Sequence, residues 1–266
     1  MAARELASVD GRISAVAEAS IPLPDDGLYR GDGAFEVIRL YRGRPFALDE
    51  HLDRLERSGA AIEMAVDRAS IERELAALLE ELGEEDAQLR IVLTRGGRRI
   101  LLTERLPQRA LSIRLASVTY SPSVVLDGVK SLSYAANMQA TRIAKARGAD
   151  EAVLVRPDGI VLEAPTSSIF WVSPEGGLRT PSLASGILES ITRAQIARAL
   201  HVEEGEFAID DLLSAREAFL ASTVREVQPV SAIDDRRFEP GRWAAKAEEA
   251  FKRSLEAALR APSQPV

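Results

Sequence analysis

A segment rich in serine, proline and glycine divides this chain into two patterned parts. The segment is SVTYSPSVVLDG, residues 117–128. Such clusters mark loops, because proline and glycine favour turns and interrupt helices and strands. On both sides of it, short strand patterns alternate with helical ones. The sequence therefore predicts a mixed α/β or α+β protein with domains at residues 1–117 and 127–266, joined by a loop at 118–126.

The spacing of apolar residues predicts the type of several elements. In SIERELAALLEELG (70–83), apolar residues recur at helical spacing up to a terminal glycine, which predicts a helix. In ALSIRLA (110–116), apolar residues from Leu111 onward alternate with polar ones, which predicts a strand. Two more helices are predicted, one at about 134–147 and a long one from about Arg242.

The composition excludes several classes of function. A net charge of −7 leaves no basic excess for nucleic acid. Cysteine is absent and only His51 and His201 supply imidazole, so we expect no disulfide, no metal site and no Ser-His-Asp triad. We also expect no membrane span and no signal peptide, because no apolar run is long enough. The expectation is a cytoplasmic globular protein whose chemistry uses lysine, arginine, carboxylates or a cofactor.

Lys130 stands out in a chain that otherwise prefers arginine. Only four of the 34 basic residues are lysines, and the other three (Lys145, Lys246 and Lys252) lie among charged residues of predicted helices. For those three we expect solvated side chains. Lys130 instead follows the apolar stretch SVVLDGV. A partly buried lysine has a lowered pKa and can form a Schiff base, which arginine cannot. Two interpretations remain open for Lys130, an ordinary surface charge or a lysine that binds a carbonyl or pyridoxal phosphate.

The other parts of a pyridoxal phosphate site also have candidates, each with a simpler alternative. The stretch GILESITRAQIARAL predicts a loop that runs into a helix, whose first N–H groups and Thr192 hydroxyl suit a phosphate. Serine or threonine at that place is also a common helix cap. Ser222 and Thr223 follow a strand pattern and offer two further hydroxyls. Glu163 is a candidate partner for the pyridine nitrogen, and Arg54 for the phosphate, although a hairpin glutamate is often exposed and arginines are numerous here.

Taken together and in this order, these stretches resemble the class IV pyridoxal-phosphate aminotransferases, of the branched-chain and D-amino-acid type, over about residues 28–235. The segments that carry the resemblance are GDGAFEVIR, EHLDRL, LTRG, VKSLSY, ADEAVLVRPDGIVLEAPTSSIFWV, GILESITR and ASTVREVQPV. The resemblance implies a small N-terminal α/β domain and a larger C-terminal domain of the pseudo-barrel type. It further implies pyridoxal 5'-phosphate in the cleft between them, and a homodimer.

The resemblance also implies roles for individual residues. Lys130 carries the Schiff base, Glu163 pairs with the pyridine nitrogen, and Arg54 binds the phosphate. The other cofactor contacts that it implies are Tyr134, Ile191, Thr192, Ser222 and Thr223.

Departures from the family pattern leave the substrate open. The D-amino-acid members carry an Arg-x-His pair after TRG, whereas GGRRILLTE follows here, without histidine. The branched-chain members read FEGIR, and Val37 replaces that glycine. We expect Arg30, beside GDG, to bind the substrate carboxylate, with Arg98 or Arg99, on the loop after LTRG, as the alternative. Phe35 and Val37 are expected to line the pocket for the substrate side chain.

The leading prediction is a transaminase that moves an amino group between an amino acid and a 2-oxo acid. D-Amino acids or (R)-amines are favoured as donors over branched-chain L-amino acids. Two alternatives keep the same site: a branched-chain L-amino-acid aminotransferase, and an aminodeoxychorismate lyase that releases pyruvate and 4-aminobenzoate. A third alternative is a binding protein without catalysis, which the presence of Lys130, Glu163 and Arg54 disfavours.

Overall fold

The computed structural model describes residues 4–239 and 241–260. The chain forms two compact units, and neither is continuous in sequence. The first comprises the described residues of Met1–Gln108, Val129–Tyr134 and Leu255–Val266, and the second comprises Arg109–Gly128 and Ala135–Ser254. The segment that holds Lys130 therefore belongs to the first unit. The domain boundaries drawn from the sequence, near 117 and 127, stay a prediction.

The first unit is built on a six-stranded antiparallel sheet. In sheet order its strands are β2 (Arg12–Ala15), β1 (Leu6–Val9), β6 (Arg99–Glu104), β5 (Ala87–Thr94), β3 (Gly33–Tyr41) and β4 (Arg44–Pro45). Its helices are α1 (Asp26–Arg30), α2 (Leu48–Ala61) and α3 (Arg68–Leu82). Side chains alternate between the two faces of a strand. In β3, Ala34, Ile38 and Leu40 join the apolar core, so Phe35 and Val37 point to the opposite face.

The second unit is built on a mixed eight-stranded sheet. In sheet order its strands are β11 (Val202–Gly205), β10 (Leu178–Pro181), β9 (Ser168–Val172), β12 (Glu217–Ser222), β13 (Glu226–Ile233), β7 (Ile113–Thr119) and β8 (Glu151–Val155), with β14 (Arg236–Arg237) paired to β13. Its helices are α4 (Ala135–Ala146), α5 (Ile191–Ala199), α6 (Ile209–Ser214) and α7 (Arg242–Arg260), the last of which runs on into the first unit. One of the two sheets curls into a half-barrel. Because both units combine a sheet with helices, the predicted mixed α/β fold class is confirmed.

Most of the predicted elements are confirmed, with one correction. Helix α3 ends where predicted, at Gly83, and α4 and α7 fall at the predicted places. The strand predicted at 110–116 begins later, at Ile113, and Leu111 is 96% exposed. The reason is that β7 pairs with β13 only from Ile113 onward, so Leu111 has no neighbouring strand. In the part of the chain that the structure describes, no helix has the length and apolarity to cross a membrane.

Candidate active site

Backbone hydrogen bonds hold Lys130 beside the first residues of β3. Its carbonyl accepts from the Phe35 N–H at 3.0 Å, and the Leu132 N–H donates to the Gly33 carbonyl at 2.9 Å. On the other side, the Lys130 N–H donates to the hydroxyl of Ser58, on α2, at 3.1 Å. Ser58 is buried and was not recognised from the sequence. The lysine backbone is therefore fixed by both a strand and a helix.

The side chain of Lys130 lies against two aromatic rings. Its Nζ is 4.5 Å from the centre of the Phe35 ring and 6.0 Å from that of Tyr134, and the two rings meet edge to face at 5.4 Å. The ring faces attract the ammonium while the ring bodies keep water away. Val37 shares the sheet face of Phe35. Lys130 is half-buried, whereas the other three lysines are exposed as predicted. The structure thus brings Lys130, Phe35 and Tyr134 together.

On the opposite face of β3, Glu36 forms a buried ion pair with Arg54. The Nε and Nη2 of Arg54 donate to the two carboxylate oxygens, each at 2.7 Å, and the Nδ1 of His51 lies 2.7 Å from Glu36 Oε2. Burial alone raises the pKa of Glu36, but the charge and hydrogen bonds of Arg54 outweigh it and hold this pKa at about 2. Burial lowers the pKa of His51 more than Glu36 raises it, so its ring is neutral at pH 7.

This arrangement gives Arg54 a structural partner that was not predicted. The phosphate contact of Arg54 stays a prediction, and it has to coexist with the pairing to Glu36. Glu36 stands between Ala34 and Ile38, on the apolar face of a strand. A carboxylate at such a position is rarely buried unless it is paired, and that was the signal available in the sequence.

In the second unit, Glu163 follows the hairpin turn and is half-buried. Its Oε1 accepts a hydrogen bond from the Leu188 N–H at 3.2 Å. Burial raises the pKa of the nearby Tyr120, and the charge of Glu163 adds to this effect. The Tyr120 hydroxyl donates to Asn137 Oδ1 at 3.1 Å, and Asn137 Nδ2 donates to the Pro165 carbonyl at 3.2 Å. These contacts secure the loop that follows Glu163.

The start of α5 combines a serine cap with two buried residues. The Ser190 hydroxyl accepts from the Arg193 N–H at 3.3 Å, so the helix-cap interpretation is correct for Ser190. Ile191 and Thr192, the first two helical residues, are buried. Because the first N–H groups of a helix have no intrahelical partner, those of Ile191 and Thr192 are suited to an anion.

Ser222 and Thr223 lie at the turn between β12 and β13. The Ser222 hydroxyl accepts from the Arg225 N–H at 3.3 Å. The Arg225 guanidinium pairs with Glu151, which also accepts from the Thr166 hydroxyl at 3.1 Å. Burial raises the pKa of Glu151 more than Arg225 lowers it. This network, centred on the buried Glu151, anchors the turn that carries Thr223 to the loop after Glu163.

Each arginine predicted to bind the substrate carboxylate has an acidic partner in the first unit. Arg30 is 73% exposed in its side chain, and its Nη1 lies 2.7 Å from Asp26 one helical turn away. The Nη1 of Arg98 lies 2.7 Å from Asp10. Their predicted role stays a prediction.

The fold is that of the fold-type IV transaminases. The chain belongs to the amino-transferase class IV family, whose model matches residues 33–233. It is 32% identical over 257 residues to the D-alanine aminotransferase of Bacillus licheniformis, covering 87% of this chain and 89% of that protein. It is also 32% identical over 273 residues to a putative branched-chain-amino-acid aminotransferase of Methanocaldococcus jannaschii, covering 92% and 94%.

Among solved structures, it is similar to the fold IV-transaminase CpuTA1 of Curtobacterium pusillum, with a TM-score of 0.83 and 28% identity over 98% of this chain and 100% of that one. The predicted family and an enzymatic function are confirmed, and class IV aminotransferases use pyridoxal phosphate.

Proposed function

We propose that Lys130 binds pyridoxal 5'-phosphate and that the enzyme transfers amino groups from a D-amino acid or an (R)-amine to a 2-oxo acid. The observation that carries this proposal is the position of Lys130, whose half-buried ammonium lies over the Phe35 ring. The chain contains only three other lysines, and all of them are exposed. A lysine that is partly withdrawn from water loses its proton more readily and becomes a nucleophile for a carbonyl carbon.

The side chains present in the two units suit this cofactor. When bound, pyridoxal phosphate supplies an electron sink that stabilises negative charge at the substrate Cα. Lys130 Nζ would accept the proton from the substrate Cα and return it as a general acid. The Glu163 carboxylate would face the pyridine nitrogen and favour its protonated form. The N–H groups of Ile191 and Thr192 would hold the phosphate. The other proposed cofactor contacts are Arg54, Tyr134, Ser222 and Thr223.

The donor preference rests on one segment of the chain. Its GDGAFEV segment is of the D-amino-acid type. Its identity to a D-alanine aminotransferase is 32%, although its identity to a branched-chain enzyme is the same. Donor specificity is therefore the property to measure first.

A donor panel with 2-oxoglutarate as acceptor tests the proposal. D-Alanine, (R)-1-phenylethylamine and L-leucine are compared by kcat/KM, and aminodeoxychorismate is incubated separately. We expect D-alanine or the (R)-amine to be preferred. Faster turnover of L-leucine favours the branched-chain alternative, and release of 4-aminobenzoate favours the lyase. Turnover of none of these donors contradicts the proposed donor class.

We also propose that the enzyme is a homodimer. The segment before GDG exposes three large apolar side chains, Leu23, Leu28 and Tyr29. Exposed apolar side chains close together in the chain are typical of an association surface. Light scattering on the protein as it elutes from a size-exclusion column is expected to give twice the mass of one chain. The substitution Tyr29→Asp is expected to shift the measured mass towards that of the monomer. A monomeric mass for the unaltered protein contradicts this proposal.

A further inference from the structure

A short turn joins β12 to β13 and carries Thr223. Ser222 and Glu226 are opposed in the two strands, which leaves only residues 223–225 between them. Glu226 closes the turn in the left-handed backbone conformation, with a φ of 57°, which is strained for a residue with a side chain. The turn therefore depends on contacts from outside to hold its shape.

Arg225, the last residue of the turn, extends to a buried carboxylate. Its Nη2 donates to Glu151 Oε2, and its Nη1 donates to Gln228 Oε1 at 2.8 Å. Glu151 lies at the start of β8 with 3% of its side chain exposed. Gln228 is buried on β13, and its Nε2 donates to the Ala110 carbonyl at 2.9 Å. The side chain of Arg225 thus ties the turn to fixed groups in the interior of the second unit.

The other oxygen of Glu151 is bonded to a second segment of the proposed cofactor site. Its Oε1 accepts from the Thr166 hydroxyl at 3.1 Å, in the loop that follows Glu163. The carboxylate therefore has one oxygen for the turn that carries Thr223 and one for this loop. Because a buried charged group is costly to separate from its partners, this bridge restrains both segments.

We propose that Arg225 is a positioning residue, whose bond to Glu151 holds the turn so that Thr223 meets the cofactor phosphate. This inference rests on the proposed function, because it takes Thr223 to contact that phosphate. Arg225 acts through the turn, since its two terminal nitrogens donate to Glu151 and Gln228. Without this anchor the strained turn relaxes, and the Thr223 hydroxyl loses its place.

The test compares two ligands that differ only in the phosphate, pyridoxamine 5'-phosphate and pyridoxamine. Neither has an aldehyde, so their binding to the cofactor-free protein does not depend on a Schiff base at Lys130. Dissociation constants are measured by calorimetry for Arg225→Met, Arg225→Lys, Thr223→Val and the double variant Thr223→Val/Arg225→Met. Arg179→Met is the matched control. It breaks an ion pair of similar exposure, between Arg179 on β10 and Asp211, on a strand that does not adjoin the turn.

We expect Arg225→Met to weaken the binding of pyridoxamine 5'-phosphate by roughly two- to tenfold, as Thr223→Val does, and to change that of pyridoxamine by less than about twofold. In the Arg225→Met background, Thr223→Val should weaken binding by less than about twofold more, because substitutions that remove the same interaction are not additive. Arg225→Lys should recover part of the loss. Arg179→Met should leave the ratio of the two dissociation constants unchanged.

Equal losses for both ligands, or full additivity of the two substitutions, overturn the assignment. If Arg225→Met does not fold, Glu151→Gln removes the same charge pairing without leaving a buried charge unpaired, and the same comparison of ligands decides. If the unaltered protein does not prefer pyridoxamine 5'-phosphate to pyridoxamine, the proposed phosphate site fails and the inference fails with it. A clear preference for the phosphate combined with additive substitutions refutes the role of Arg225 alone.

Discussion

The buried pair of Glu36 and Arg54 predicts that Arg54→Met destabilises the protein before any effect on cofactor binding is considered. The variant leaves a carboxylate that is 0% exposed without its main partner. With Arg54 present, the pKa of Glu36 is held at about 2 instead of its ordinary 4.5. At about 1.4 kcal/mol per unit of pKa, the folded environment favours the ionised form by roughly 3 kcal/mol, net of the cost of burial. That value agrees with the loss of about 3–5 kcal/mol typical of breaking a buried ion pair.

The assay is urea unfolding of the cofactor-free protein, followed by circular dichroism. At pH 7 we expect Arg54→Met to lower the free energy of unfolding by about 3 kcal/mol. The double variant Glu36→Gln/Arg54→Met should recover part of this loss, because it removes the unpaired charge. Arg30→Met is the control, since it breaks an exposed pair within one helix and should cost less than about 0.5 kcal/mol. If Arg54→Met unfolds at the same urea concentration as the unaltered protein, the reasoning is wrong.

The pH dependence provides a second measurement on the same pair. The folded Glu36 carboxyl has the lower pKa, so the unfolded chain binds more protons between pH about 4.5 and about 2. The stability from the pair is therefore complete above about pH 4.5 and is lost as the pH falls towards 2. The double variant should lack this part of the acid sensitivity.

Three further predictions concern the cofactor. Borohydride reduction of the protein with bound cofactor should leave a pyridoxyl group on the peptide that contains Lys130, and label on another lysine would falsify the assignment. Lys130→Arg should fold, yet its turnover should fall by roughly a thousandfold or more. Glu163→Gln should retain the cofactor while the single-turnover half-reaction slows by orders of magnitude, and an unchanged rate would mean that Glu163 does not contact the pyridine nitrogen. Thr223→Val removes a neutral hydrogen bond and should weaken cofactor binding by roughly two- to tenfold in a fluorescence titration, whereas unchanged affinity would place Thr223 outside the phosphate site.

Local patterns were sufficient to predict most of the fold and to single out Lys130. Helix α3 follows from its spacing of leucines and its terminal glycine, and both are properties of one short stretch. Lys130 stood out because of its residue type, in a chain with only four lysines. Leu111 was wrongly assigned to a strand because the alternation of apolar and polar residues does not show where strand pairing begins. In β7 that point is set by the pairing with β13.

Which side chains pair around the site depends on contacts between elements that are far apart in the sequence. No short stretch of the sequence predicts these pairs. Glu36 lies on β3 and Arg54 on α2, and neither segment by itself predicts that the two side chains form an ion pair. The hydroxyl of Ser58 reaches a residue 72 positions further along the chain. Glu151 and Arg225 are 74 positions apart and meet only in the folded second unit. Each of these positions depends on the tertiary fold.

The return of Val129–Tyr134 to the first unit has a consequence for biosynthesis. When Gln108 has left the ribosome, all six strands of the first sheet exist, but the Phe35 N–H and the Gly33 carbonyl still lack the partners that residues 130 and 132 supply. An unpaired strand edge of this kind is open to wrong pairing with another chain. The nascent edge is closed when Lys130 and its neighbours emerge. A polypeptide released before residue 130 therefore lacks Lys130 and exposes this strand edge, which favours aggregation.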